Sequence, residues 1–339
     1  MSSHTFTHGH ALLIGVDENH VSGYALPAVA QDIQALADVL IHPQRCAYPA
    51  GNVKTLTGQE ATRQGILDGL EWLQERIKAA TSENTTAIVY YTGHGWRTGS
   101  ADPSEPYLIP YDIREGKIKS RALRATDFAE AVGELKPRRL LVVLDCCHAG
   151  GMGVKGVPLP VGYVETAMTP SLLMEGERSV GSAKGAKGLE TLAQGTGRAV
   201  LSSSTGEQRS YLRQDGKMSI FTYHLVEALT GHAQPQEGAT EVLVSDLMGH
   251  VWRRVPPSAR ADWNRDQTPD YQVSGNFPIA LLLGGKGLSK GQLAPDPLEP
   301  LAVEKDKARE QHIQIATGSY IAQASGGSTA TVSVNQTKD

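Results

Sequence analysis

Apolar residues fall along this chain in two rhythms. Short unbroken runs, Ala11 to Val16, Ala87 to Tyr91 and Leu140 to Leu144, have the length of strands buried on both faces. Between them the spacing changes. Leu26 to Ile41 carries Val29, Ile33, Leu36, Val39 and Leu40 at helical intervals, and Thr62 to Ala80 sets Ile66, Leu70, Leu73 and Ile77 on one face. Asn52 to Leu56 reads as a further strand and Arg124 to Leu135 as a further helix. The alternation β-α-β-α-β-α-β predicts a parallel sheet with helices on both faces, an α/β sandwich of about six strands.

After Cys147 the rhythm stops. Residues 150–197 are rich in Gly, Ser, Pro and Lys with no sustained period, and are expected to form a long loop without regular structure. Loops of that length inside a domain are usually functional. Periodicity resumes with a strand at Arg198 to Ser203, helices at Ile220 to Leu229 and Val244 to Val255, and a last strand at Phe277 to Leu283. From Gly284 the chain loosens again through Pro295, Pro297 and Pro300. Its final stretch, Ile313 to Val334, is expected to form a hairpin or a docking strand. The pattern divides the chain into 1–149, 150–197, 198–284 and 285–339.

Composition narrows the function. Of 339 residues, 40% are hydrophobic and 20% charged, enough for a large core. Lys plus Arg number 32 against 36 Asp plus Glu, a net charge of −4, so no basic surplus exists for a nucleic-acid backbone. No run reaches the roughly 18–20 apolar residues of a membrane span. The polar N-terminus lacks a secretory pattern. Three cysteines, two of them adjacent, do not make a disulfide framework. A cytoplasmic protein without nucleic-acid or membrane partners is expected.

Chemistry concentrates at two strand ends. One reads Tyr90-Tyr-Thr-Gly-His-Gly95, the other Leu144-Asp-Cys-Cys-His-Ala-Gly150. Sites in open parallel sheets are built at the carboxyl ends of strands, so both fall on one edge. A cysteine peptidase needs a thiol, a histidine within reach and donors for the developing oxyanion. His94, on a Gly-His-Gly turn, is expected to be exposed. The N–H groups of Gly95 and of the cysteine are the expected oxyanion donors. Cys146 alternates to the opposite strand face from its neighbour, which makes it the weaker nucleophile. Simpler readings exist for each motif alone: a capping histidine, a packed cysteine, or part of a metal site. The last needs a second Cys pair, which the chain lacks. His8 and His10 are expected to be surface residues, and no metal site is assigned.

Together the two motifs resemble those of the caspase-fold cysteine peptidases, most closely the metacaspase-like branch, of the bacterial orthocaspase type. Tyr91-Thr-Gly-His-Gly95 resembles the family's histidine motif and Asp145-Cys-Cys-His-Ala-Gly150 its cysteine motif, with the histidine about 50 residues upstream. The caspase Gln-Ala-Cys pentapeptide is missing. The likeness extends from about residue 10 to 283, including Ile220-Phe-Thr-Tyr-His-Leu225 at a small-subunit helix.

The resemblance implies a Cys147–His94 dyad acting on protein or peptide substrates. It implies cleavage after Arg or Lys, with Asp145 and Asp32 pairing the basic side chain. Gln31 stands where the family usually has Asn. Residues 1–149 and 198–284 then correspond to large- and small-subunit halves, and 150–197 to a processing loop. In it Lys155, Arg178, Lys184 and Lys187 are candidate cuts, made by the enzyme itself or by an upstream protease. Calcium activation is a feature of many relatives. Asp102, Glu105 and Asp112 lie in a suitable region, but Gly153, Val154 and Lys155 stand where a further acidic residue is expected. No cofactor is therefore assigned. A monomer and a role in bacterial stress, cell death or antiviral defence are implied by analogy. The alternative is a catalytically silent caspase-like scaffold that recruits partners through its tail.

Overall fold

The computed structural model describes residues 5–21, 23–80, 84–98, 105–146, 197–205, 208–233 and 238–283, and the backbone of four short strands beyond them. The chain divides into two units, Met1–Pro295 and Asp296–Asp339.

The first unit is built on a six-stranded sheet. Its strands are β1 (Gly9–Gly15), β2 (Val53–Leu56), β3 (Thr86–Gly93), β7 (Arg139–Cys146), β9 (Gly197–Ser202) and β11 (Asp270–Ser274). Their order is β11-β9-β7-β3-β1-β2, all parallel except the antiparallel edge strand β11. Every residue of β1 and β3 is buried, as a central strand covered on both faces requires.

Two helices cover one face. α2 (Arg63–Ala79) and, after the single turn α3 (Ile118–Arg121), α4 (Ala125–Gly133) contribute Ile66, Leu70, Leu73 and Phe128 to a cluster with Leu12, Ile14, Val89, Tyr91, Val142 and Leu144. The Thr62 hydroxyl caps α2 by accepting from the Gly65 N–H at 2.9 Å. α1 (Ala28–Ile41) lies on the other face, so tightly that a Cβ on Gly15 would come within 2.4 Å of Ile33. α5 (Ile220–Glu227) shares that face through Thr222, whose hydroxyl is 2.6 Å from that of Tyr90, and α6 (Val244–Trp263) packs against α5. None of these helices is long and apolar enough to cross a membrane.

Several elements differ from the sequence expectation. α6 does not stop at Val255 but continues through Pro256 and Pro257 to Trp263. Tertiary contacts hold the extension: Trp263 Nε1 donates to Leu212 O at 2.6 Å, and Ala259 is buried. It ends at Asn264 in the left-handed conformation (φ 52°). The Phe277 to Leu283 strand is β12 (Pro278–Leu281), and it does not join the main sheet. It pairs with β10 (Glu241–Leu243) in a separate ribbon. The sixth sheet position goes to β11, whose Tyr271 and Val273 are exposed and gave no apolar run.

A small antiparallel sheet, also unforeseen, extends from the end of β3. It comprises β4 (Gly95–Thr98), β5 (Pro106–Leu108), β6 (Leu123–Arg124) and β8 (Tyr163–Glu165), in the order β6-β5-β4-β8. β8 corrects the expectation of an irregular 150–197 segment, because three of its residues pair with Trp96, Arg97 and Thr98. An aromatic and a β-branched residue supply strand propensity there and complete the edge of β4. The second unit holds a three-stranded antiparallel meander, β13 (Ile315–Ala316), β14 (Ser319–Ala324) and β15 (Ser328–Val332), one strand more than a hairpin.

The chain before 166 and the chain after 196 meet inside the main sheet, where β7 pairs with β9 from Arg139–Gly197 to Leu144–Ser202. A chain cut between 166 and 196 is therefore held by the core and not by the linker. With a recognition site for an unrelated protease inserted there, the cut halves should co-elute on native gel filtration and part only in denaturant. Elution as two species would contradict this.

Candidate active site

The register of the two central strands sets the site. β3 and β7 pair in parallel with Thr92 opposite Asp145 and Gly93 opposite Cys146, so the strands end level. His94 follows one end in sequence and Cys147 the other; Cys147 lies outside the described residues. Neighbouring strands are about 4.8 Å apart. Alternation along β7 sends Cys146 into the apolar cluster beside Tyr91 and Leu144, as expected, and turns Asp145 to the opposite face.

His94 departs from expectation in one respect: it is buried, at 4% exposure. The segment before α1 covers it. Tyr24 O accepts from His94 Nε2 at 3.0 Å, and the rings of Tyr24 and Trp96 lie 5.3 and 6.0 Å from the imidazole. A carbonyl only accepts, so Nε2 carries the hydrogen and Nδ1 is the basic nitrogen. The backbone is held equally firmly. The His94 carbonyl accepts from Ile109 N at 3.1 Å, and the Tyr91 hydroxyl lies 3.1 Å from it. That bond makes His94 and Ile109 a hydrogen-bonded pair, so by alternation the Gly95 N–H is directed away from β5. Gly93 adopts φ 154°, a conformation L side chains rarely take, and a Cβ there would meet Val16 at 3.2 Å.

The two predicted acidic residues come together beneath this edge. Asp32, from α1, and Asp145, from β7, are both fully buried. Ser219, the N-cap of α5, joins them. Its N–H donates to Asp32 Oδ1 at 3.0 Å, its hydroxyl donates to Asp145 Oδ2, and its Oγ accepts from Thr222 N at 2.8 Å. Asp145 also accepts from the Ser210 hydroxyl at 2.7 Å and from Thr222 Oγ1 at 3.1 Å. Gln267 Nε2 donates to Ser210 Oγ at 3.2 Å and to Ser203 O at 3.1 Å. Asp32 is less well served, for its Oδ2 has no hydrogen-bond partner among the described residues. Burial, and behind it the charge of Asp145, pushes the Asp32 carboxyl well above the usual carboxylate range.

Sequence reasoning missed Tyr24, Ser210, Ser219, Thr222 and Gln267. Only Ser219 left a trace, as a serine directly before an apolar helical run. The proposed cuts at Lys155, Arg178, Lys184 and Lys187, and Asp102 of the calcium set, lie outside the described residues. Glu105 and Asp112 have separate partners. Glu105 accepts from the Tyr107 hydroxyl, and Asp112 from Arg63 N at 2.9 Å. His10 is not at the surface but inside β1, at 4% exposure. Cys46 is also buried, its thiol pushed up to about 12 by desolvation, which leaves it unreactive.

The family model described as the caspase domain matches residues 8–277, which include all six strands of the main sheet. No curated protein matches the chain in sequence. Among solved structures, caspase-1 from Spodoptera frugiperda is similar at 15% identity and a TM-score of 0.47. The match covers 86% of this chain and 94% of that one. The Drosophila initiator caspase Dronc is similar at 9% identity and a TM-score of 0.46, over 85% of this chain and 87% of that one. On the family match, carried by a sheet that ends its two central strands at a Gly-His-Gly and an Asp-Cys-Cys-His motif, the chain belongs to the caspase-domain family of cysteine peptidases.

Proposed function

We propose that this protein is a metacaspase-like cysteine endopeptidase that cuts protein substrates after Arg or Lys. The observation that carries this reading is the buried Asp32–Asp145 pair, joined by Ser219, with Asp32 Oδ2 lacking a partner among the described residues. Two like charges in one dry site are costly together, and a guanidinium or ammonium placed against them offsets that cost. An acidic or apolar side chain would raise it.

Cys147 is the nucleophile and His94 the general acid–base. The Nε2–H bond to Tyr24 O holds the imidazole in the tautomer whose Nδ1 exchanges the proton. His94 Nδ1 takes the thiol proton, the Cys147 sulfur attacks the carbonyl of the basic residue itself, and the N–H groups of Gly95 and Cys147 receive the oxyanion. His94 then protonates the leaving amine, giving a thioester, and activates the water that hydrolyses it. Cleavage within 150–197 serves as the activating step, made by the enzyme itself or an upstream protease.

Three outcomes test this. Cys147→Ala and His94→Ala should each lower kcat/KM on a fluorogenic peptide ending in Arg by at least roughly 10³-fold. Both should also remove any self-cut seen by intact mass. Turnover of an Asp-ending peptide, with none of the Arg peptide, would sink the specificity. Asp145→Asn should cost roughly 10²-fold or more on Arg and Lys peptides, because it leaves a buried cation under-paired.

The third outcome concerns pH. Asp32 has a raised folded-state pKa, so its contribution to stability is present at low pH and lost as pH rises through that raised range. In the Cys147→Ala background, Asp32→Asn should therefore narrow the fall in Tm between mildly acidic and alkaline pH. A bound Arg peptide should release a proton from Asp32, visible as buffer-dependent calorimetric enthalpy. Equal pH profiles of the two proteins, with no proton release, would contradict the assignment.

A further inference from the structure

A second cluster of reactive side chains lies on α5 and α6, and the peptidase reading makes no use of it. His224 and Glu227 are three residues apart on α5 and so share one face of the helix. His250 comes from α6. Glu227 Oε2 lies 2.6 Å from His224 Nδ1 and 3.0 Å from His250 Nε2. The three potential ligand atoms are all within 4.8 Å of one another. Their side chains are only 4%, 9% and 6% exposed. On its far side, His224 Nε2 is 2.8 Å from the hydroxyl of Ser258, on the part of α6 that runs beyond the prolines.

We propose that His224, Glu227 and His250 form a divalent metal site of the zinc type that ties α5 to α6. Two imidazole nitrogens and one carboxylate oxygen, converging from two helices, make a donor set that zinc takes. A fourth tetrahedral position is left for solvent. Ser258 supplies the outer hydrogen bond that a ligating histidine needs. With Nδ1 on the metal, the ring proton sits on Nε2 and donates to Ser258 Oγ.

The placement gives the site a consequence. Ser219 and Thr222, which hold Asp145, stand at the start of the same helix. A metal at His224 and Glu227 would fix α5 against α6 and so fix the base of the acidic pair. The inference does not depend on the substrate preference proposed above, because metal binding can be read without peptide.

The test uses the untagged full chain carrying Cys147→Ala, which removes the active-site thiol as a competing ligand. Metal-free protein is titrated with zinc chloride by calorimetry and with cobalt chloride by visible absorption. We expect one equivalent of zinc per chain with a micromolar or tighter Kd, and the intense visible bands of tetrahedral cobalt. At about 100 Kd of free zinc, Tm should rise by roughly 5 °C. Glu227→Gln and His250→Gln keep the volume and a hydrogen-bonding group. Each should weaken binding at least tenfold with an unchanged far-UV circular dichroism spectrum. Binding below 0.2 equivalents in the parent chain, an order-of-magnitude threshold for a structural site, would overturn the proposal. So would zinc affinity that neither substitution changes, and the cluster would then be a hydrogen-bonded brace only.

Discussion

The site rests on the register of β3 against β7. Both strands are buried on both faces, so no solvated side tolerates a polar residue without a partner. A slip of one residue would turn every side chain of β7 to the other face. Asp145 would enter the apolar cluster of Leu12, Tyr91 and Phe128, and Cys146 would leave it. Transfer of a carboxylate into such surroundings costs several kcal/mol, far more than any gain from the displaced thiol. The apolar alternation of Leu140, Val142 and Leu144 therefore does two things at once. It packs the core, and it aims Asp145 at the acidic pair while ending the strand level with Gly93.

Electrostatics explains why so many hydroxyls gather beneath that edge. A buried carboxylate needs donors, and Asp145 takes three of them from the neutral hydroxyls of Ser210, Ser219 and Thr222. Asp32 receives one backbone donor from Ser219 and keeps an oxygen without a partner among the described residues. Neutral donors lower the cost of each anion separately and leave the repulsion between them in place, so burial first and the charge of Asp145 second raise the Asp32 carboxyl. A structural brace would have been better served by an arginine. A buried carboxyl oxygen of Asp32 left open beside a second carboxylate is suited to receiving a cation, which is why the proposed specificity follows from this region more than from the dyad.

α5 connects these parts. Its N-cap Ser219 reaches both aspartates, Thr222 reaches Asp145 and Tyr90, and His224 and Glu227 meet α6 on another side. This short helix and its N-cap thus link the sheet edge to the outer helix layer. The stretch of α6 after Pro256 and Pro257 belongs to the same arrangement, because it carries Ser258 to His224 and Trp263 to the loop before α5.

Local patterning in the sequence was enough to determine the α/β class, the strand ends that carry His94 and the Asp-Cys-Cys motif, and the inward turn of Cys146. Each of these depends on alternation or periodicity over a few neighbouring residues, and β1, β3, β7 and the first helices fell close to their expected bounds. The tertiary structure decided what depends on residues far apart in the chain. Tyr24 buries a histidine that the Gly-His-Gly turn alone would expose. Ser219 brings Asp32 and Asp145 together across nearly the whole domain. Packing against Leu212 carries α6 past two prolines that local propensity would read as a stop. β11, and not the more apolar β12, holds the sheet edge, and the backbone pairing with β9 that places it there, unlike side-chain burial, leaves no hydrophobic signature. Periodicity records which face a residue turns to; only the folded chain determines what it meets there.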